Sequence, residues 1–190
     1  MSPTSKADQR ARLRVLRKAL ALAAPDAAER AAALLPLDRL PAFTAFAGYH
    51  ALGSELDPGP LIRRLAATGA SLALPVALAR DAPLVFRAWD PRDRLVPDAV
   101  GVPAPPPSAA GLHPDLVIAP LLGFDRRGGR LGQGGGHYDR TLETLRAARS
   151  VFVLGLAYAG QEVEAMTLDA HDQRLDAILT ETGYTDLRTS

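Results

Sequence analysis

The segment from residue 116 to 158 constrains the fold more than any other. Residues 116–122 (LVIAPLL) and 151–158 (VFVLGLAY) are continuous apolar runs of strand length, and residues 139–149 between them carry helical periodicity. Two strands joined by a helix pair in parallel through a crossover, which lays the helix on a face of the sheet. A second unit of this kind is expected earlier. Residues 42–49 (AFTAFAGY) and 71–78 suit buried strands, and residues 60–68 (PLIRRLAAT) between them begin with proline and continue with helical spacing. Upstream, residues 8–35 are dominated by Ala, Leu, Arg and Glu, and Pro25 divides them into two helices, with Asp26 and Glu29 in the first turn of the second. Residues 84–89 suit an edge hairpin, and residues 91–114, with Pro105, Pro106 and Pro107 in a row, suit an ordered meander. No repeat, heptad array or linker interrupts the pattern. The expectation is one α/β domain over residues 1–190, a three-layer αβα arrangement around a doubly wound, mostly parallel, Rossmann-like sheet.

Composition narrows the function classes. With 22 Lys+Arg against 21 Asp+Glu the formal charge is +1, so no global field recruits nucleic acid or an anionic membrane, and 5% aromatic residues offer few stacking platforms. The chain has no cysteine, which removes disulfides, thiolate metal sites and a cysteine nucleophile and agrees with a reducing cytoplasm. Its arginine-rich beginning lacks a following apolar stretch, and no run approaches the roughly 18 apolar residues of a membrane span. A cytoplasmic protein is expected. Its four histidines lack HExxH spacing, which argues against zinc.

Chemistry is concentrated in residues 120–142, PLLGFDRRGGRLGQGGGHYDRTL, between a strand and a helix. Ligands of open α/β sheets bind at such carboxyl-end loops. The glycines at 128, 129, 132, 134, 135 and 136 let backbone amides approach a polyphosphate, and the following helix start adds positive potential. Arg126, Arg127 and Arg130 bring charge, while Asp139 could hold magnesium or only cap the helix. The spacing is neither a Walker A loop nor a Rossmann fingerprint, and the glycines alone would also suit a plain turn. On the first helix Arg10, Arg14 and Arg17 recur at i, i+4 and i+7, so one face could meet phosphate while Leu13, Leu16 and Leu20 occupy another. The alternative is a solvated charged face. Glu55 follows the first strand, where on residues alone it could belong to a helix start.

The segment resembles the signature of the 5-formyltetrahydrofolate cyclo-ligase family, FD-x-x-G-x-RLG-x-G-x-G-x-YDR, carried here by Phe124-Asp125, Gly128, Arg130-Leu131-Gly132, Gly134, Gly136 and Tyr138-Asp139-Arg140. The basic first helix, Glu55 and the late His171-Asp172 pair stand in the order that the family has. The resemblance implies an enzyme that closes 5-formyltetrahydrofolate to 5,10-methenyltetrahydrofolate and converts ATP to ADP and phosphate, through a phosphorylated N5-iminium intermediate. It implies catalytic roles for Arg130 and Tyr138. On its first helix the family has a Lys and, three and four residues later, Leu-Arg, matched here by Arg10 and Leu13-Arg14; ATP contacts would come from Arg10 and Arg14 and from Arg130, Leu131, Gly132, Gln133, Gly134, Gly135, Gly136, His137 and Tyr138. Reduced folate would meet Glu55, Gln133 and His137, and Asp139 and Asp172 would hold Mg²⁺.

The partners expected are therefore these small molecules, with neither nucleic acid nor membrane, and the protein would be a monomer or homodimer. Three positions depart from the pattern. Ala104 stands where the family has a glutamate, Gln133 follows the RLG triplet, and His137 precedes Tyr138-Asp139 in place of an aromatic residue. The loss at 104 motivates one competing expectation, a protein that keeps the fold and only sequesters folate or nucleotide.

Overall fold

A computed structural model describes residues 5–166 and 168–188. Its helices are α1 (Lys6–Ala23), α2 (Ala27–Leu34), α3 (Gly59–Ala66) and α4 (His137–Ala148). The strands, in chain order, are β1 (Ala45–Ala47), β2 (Ser71–Ala77), β3 (Leu84–Ala88), β4 (Val96–Pro97), β5 (Pro103–Ala104), β6 (Leu116–Pro120), β7 (Gly123–Phe124), β8 (Arg130–Leu131), β9 (Phe152–Leu156), β10 (Ala177–Thr180) and β11 (Gly183–Asp186). Seven of them form one sheet in the order β11-β10-β9-β6-β1-β2-β3. Every pairing from β10 across to β2 is parallel, and the two outer strands, β11 and β3, are antiparallel. The doubly wound, mostly parallel sheet expected from the apolar runs is the one observed.

Helices cover both faces, which makes three layers. On one face α2 and α3 bury Ala31, Leu61 and Leu65 against Phe46, Leu116 and Leu154. On the other, Leu142 of α4 packs against Val117, Val153 and Ile178. Pro25 separates α1 from α2 as expected, and Ser5 caps α1 by accepting from the Asp8 amide at 3.1 Å. Among the described residues no helix is long and apolar enough to cross a membrane.

The winding reverses beside β1. The chain leaves β1 through α3 to β2 on one side, then returns to place β6, and after it β9 and β10, on the other. Strand ends diverge at such a reversal and open a crevice. Pro75 marks the opening. The amide of Ser71 bonds the carbonyl of Thr44, so residues 71, 73 and 75 turn their N–H edge toward β1; the β1 ladder stops at Ala47, opposite Ala73, and proline comes where no partner is left to receive a bond.

The first helix closes the carboxyl end of the sheet. Leu13 packs with Leu122, Leu131 and Met166, and α1 also lies on the short 3-10 turn Ala159–Gln161 that follows β9. Leu16, expected on the buried stripe, is 40% exposed, whereas Arg17 is buried at 5%. The stripe is therefore rotated from its expected position. The Pro-rich meander contributes the ribbon β4–β5, and the glycine-rich segment holds a further ribbon, β7–β8, where one uninterrupted loop was expected.

Candidate active site

A cleft of about 350 Å³ lies at the reversal point, over the carboxyl ends of β1, β2 and β6. The glycine-rich loop forms one wall. Gly134 and Gly136 have φ values of +110° and +66°, which side chains with a Cβ rarely adopt, and at Gly136 a Cβ would also stand 2.6 Å from Nη1 of Arg140. The loop's carbonyls are held by three arginines. Arg10 Nε donates to the Gly132 carbonyl at 3.1 Å, Arg14 Nη2 to the Gln133 carbonyl at 3.0 Å and Arg140 Nη2 to the Gly135 carbonyl at 2.7 Å. Cationic partners for the carbonyls leave the loop amides for an anion.

Arg130 enters the cleft from β8 with its side chain only 2% exposed, and Nη2 donates to Oδ1 of Asp139 at 2.6 Å. Its buried Nε has no partner among the described residues, and the guanidinium stands over the Tyr138 ring at 5.7 Å. Burial and the nearby Glu55 carboxylate push the Tyr138 hydroxyl pKa well up, against a smaller opposing effect of Arg130, so the ring stays neutral at physiological pH.

Asp139 does not cap α4; its Oδ1 accepts from Arg130 and from the Gln173 amide at 3.0 Å. That second bond draws in the chain beside Asp172. Asp172 Oδ2 accepts from Lys6 Nζ and the Asp169 amide, each at 2.8 Å. Burial works against the Asp172 charge, but the bonds from Lys6 and from the Asp169 amide outweigh it and hold the carboxyl below its ordinary pKa. One oxygen of each carboxylate is without a hydrogen bond among the described residues. These residues contain no group of three or more His, Cys, Asp and Glu that could cage a metal. The pair fits magnesium, which takes one or two carboxylates and fills its octahedron with phosphate and water.

Glu55 also lines the cleft. Its Oε2 accepts from the Leu52 amide at 2.9 Å, closing a turn, and Oε1 lies 3.5 Å from Nη1 of Arg17, with both side chains 6% exposed. Beside it Tyr49 donates its hydroxyl to the Leu56 carbonyl, and burial together with Glu55 raises the Tyr49 pKa well above the ordinary phenol value. A loop directed at an anion and a carboxylate beside two tyrosines thus share the cleft.

Of the residues singled out from sequence, Arg10, Glu55, Arg130, Leu131, Gly132, Gln133, Gly134, Gly135, Gly136, His137, Tyr138, Asp139 and Asp172 line this cleft. Arg14 does not. It lies along the outside, its Nε on Oε1 of Gln133 at 3.0 Å, because the cleft-facing side of α1 begins one turn earlier with Lys6, Gln9 and Arg10. Lys6, four residues before Arg10, lines the cleft instead, so the structure does not bring Arg14 to the place expected of it. Arg126 and Arg127 also stay outside, paired with Glu162 and Asp125. His137 turns Nδ1 toward the Ala82 carbonyl at 3.2 Å. Ala104 is 1% exposed in the β4–β5 ribbon and does not line the cleft, although its neighbours Val102 and Pro103 do.

Asp125 was read only as part of a motif, yet it anchors the site from behind. Fully buried, it accepts from the amides of Arg127, Gly129 and Met166 at 3.0, 2.8 and 2.9 Å. A Cβ on residue 129 would sit 2.9 Å from this carboxylate, which accounts for the glycine.

Comparison with known proteins agrees with this geometry. Residues 3–181 match the family described as the 5-formyltetrahydrofolate cyclo-ligase family. A 5-formyltetrahydrofolate cyclo-ligase of Escherichia coli K12 is 36% identical over 131 residues, covering 66% of this chain and 71% of the relative. The Mycolicibacterium smegmatis enzyme of the same name is 32% identical over 140 residues, covering 70% and 71%. Among solved structures, the 5,10-methenyltetrahydrofolate synthetase of Aquifex aeolicus superposes with a TM-score of 0.73 at 25% identity, covering 96% of this chain and 93% of that one. The Mycoplasma pneumoniae synthetase, at 22% identity, shares the fold with a TM-score of 0.72 over 93% of this chain and 99% of its own. With the match extending over nearly all of its length, the chain belongs to the 5-formyltetrahydrofolate cyclo-ligase family.

Proposed function

We propose that this protein catalyses the ATP-dependent closure of 5-formyltetrahydrofolate to 5,10-methenyltetrahydrofolate, releasing ADP and phosphate. The observation that carries the reading is one cleft lined both by Lys6, Arg10, Arg130 and the glycine loop and by Glu55. The triphosphate lies along the loop. The pterin presents its ring N–H groups to Glu55, whose carboxylate can accept a paired contact that fixes the ring plane.

An amide oxygen leaves poorly, so the formyl oxygen first attacks the γ-phosphorus and ADP departs with the bridging bond's electrons. N10 then attacks the activated formyl carbon and loses its proton, and phosphate leaves with the C–O electron pair as the N5=C double bond forms. Phosphoryl transfer asks the protein chiefly to position the reactants and neutralise the equatorial oxygens. Loop amides, Arg130 and Lys6 suit that work. Tyr138, neutral and held over the guanidinium, orients Arg130 and closes one side against water. Asp139 and Asp172 would hold Mg²⁺, which when bound supplies charge to the phosphates. Lys6 and Arg130 pair with these carboxylates and line the same cleft, within the reach of the phosphates.

The test is absorbance at the methenyl product band on incubation with 5-formyltetrahydrofolate, with and without Mg·ATP. Product should form only when both are present. Tight binding of folate or nucleotide without turnover would replace this reading with a sequestering protein.

A further inference from the structure

Arg17 is a charged side chain that the reaction does not use directly. It does not line the cleft, yet it is 5% exposed and bound to two of the segments that build it. Its Nε donates to Oγ of Ser54 at 3.1 Å, its Nη1 donates to the Leu121 carbonyl at 3.3 Å, and the same Nη1 lies 3.5 Å from Oε1 of Glu55. Ser54 and Glu55 follow β1, Leu121 follows β6, and Arg17 itself belongs to α1. One guanidinium therefore bridges the two strand ends between which the crevice opens.

Glu55 needs such a partner. Its carboxylate is 6% exposed beside Tyr49 and Tyr138, and a buried charge without a counter-ion is costly. The Leu52 amide satisfies Oε2 in the turn, and Arg17 faces Oε1 from behind. These two contacts fix the carboxylate plane before any ligand enters. A guanidinium is rigid and planar, so its bonds to Ser54 and Leu121 set where the charge facing Glu55 stands. Because α1 also brings Lys6 and Arg10 to the cleft, one helix carries both these cations and the support behind Glu55.

We propose that Arg17 is a positioning residue for the pterin, acting through Glu55 without touching substrate; this rests on the assignment of Glu55 to the pterin. Loss of the arginine lets the carboxylate rotate, and the paired contact with the pterin is made less often. Nucleotide contacts on the first turns of α1 are untouched.

The experiment compares Arg17→Met, Arg17→Lys, Glu55→Gln and the double variant Arg17→Met/Glu55→Gln by steady-state kinetics, with thermal melting of each. Arg17→Met should raise KM for 5-formyltetrahydrofolate about tenfold, as expected for a disturbed charge-assisted contact, with KM for ATP and kcat at saturating folate within about twofold of the parent. Arg17→Lys keeps the charge but cannot span Ser54 and Leu121 together, and should raise folate KM by roughly threefold. It carries the same test if the Met variant does not fold. The double variant should be no worse than Glu55→Gln alone, because both changes remove one device. A merely structural role predicts a lower kcat with both KM values unchanged, and that result, or losses that multiply in the double variant, would overturn the proposal. If Glu55→Gln raises folate KM while neither Arg17 variant does, Arg17 alone loses its role. If Glu55→Gln leaves folate KM unchanged, the assignment of Glu55 fails and the proposal falls with it.

Discussion

Replacing Asp125 by asparagine tests the anchor behind the cleft with a change of one atom. Both carboxylate oxygens face donors: Oδ1 takes the Arg127 and Gly129 amides, and Oδ2 takes the Met166 amide and, at 3.3 Å, Nη2 of Arg127. An asparagine must turn its NH₂ toward one of these pairs in either orientation, so two bonds are lost and two donors stand opposed. Bonds to a charged acceptor contribute roughly 1.5–3 kcal/mol each, and allowing for relaxation we expect a loss of about 3 kcal/mol in unfolding free energy. Urea denaturation at pH 7 measures it. The pH dependence supplies a second reading. Burial raises the Asp125 pKa, but the amide bonds from Met166, Gly129 and Arg127 outweigh it and depress the folded value below the ordinary one. For a depressed pKa the stabilisation is fully present above the unfolded value of about 3.9 and is lost as pH falls through the folded value, so the gap between parent and variant should be constant near neutrality and shrink only in acid. An asparagine variant within about 0.5 kcal/mol of the parent at pH 7, or a gap unchanged at pH 3, would refute the assignment of this stability to an ionised, fully bonded carboxylate.

Three further outcomes are expected. Arg130→Ala should lower kcat by roughly 30-fold, about 2 kcal/mol of transition-state stabilisation, in single-turnover assays; full activity in a folded variant would remove Arg130 from the phosphate. Asp139→Asn and Asp172→Asn should each reduce kcat at limiting magnesium by about tenfold, with partial recovery in excess Mg²⁺, and a titration showing no metal dependence of the loss would assign both residues to their ion pairs alone. Gly155→Ala should cost about 1–3 kcal/mol in denaturant melts, since its Cβ would stand 2.7 Å from both Ile178 and Leu175 and 3.0 Å from Leu121, all in the core; an unchanged midpoint would mean that the core yields there freely.

How far the sequence could be read depended on how each signal is produced. Strands β6 and β9 are buried along their length, so their apolar runs were plain, and α4 between them shows its period. Strand β10 is just as buried, but four residues between acidic neighbours give too short a run to stand out, and its edge partner β11 is half-polar. The β7–β8 ribbon has no period at all; the Asp125 turn makes it, and that turn needs a segment 41 positions away. The cleft residues of the glycine loop were legible because a backbone that must bend this way leaves glycines in the chain. The facing of α1 was not. Arginines surround that helix, and only the groups across from it, Gly132, Gln133, Leu121 and Asp172, decide that Lys6 and Arg10 face the cleft, Arg14 the loop's outer side and Arg17 the interior.

The way α1 is attached bears on the order in which the molecule acquires competence. Its bonds to the rest of the cleft join residues far apart in the chain: 166 positions for Lys6 and Asp172, 122 for Arg10 and Gly132, 104 for Arg17 and Leu121. By contrast β6, α4 and β9 form a unit of neighbouring segments. Local units pay less loop-closure entropy and lead in folding, while long-range contacts follow. The sheet and its covering helices can thus exist before the cleft does, and on the ribosome the first helix must wait, with Lys6 unpaired, until Asp172 has been made. An intermediate with native helix content would bind neither substrate well.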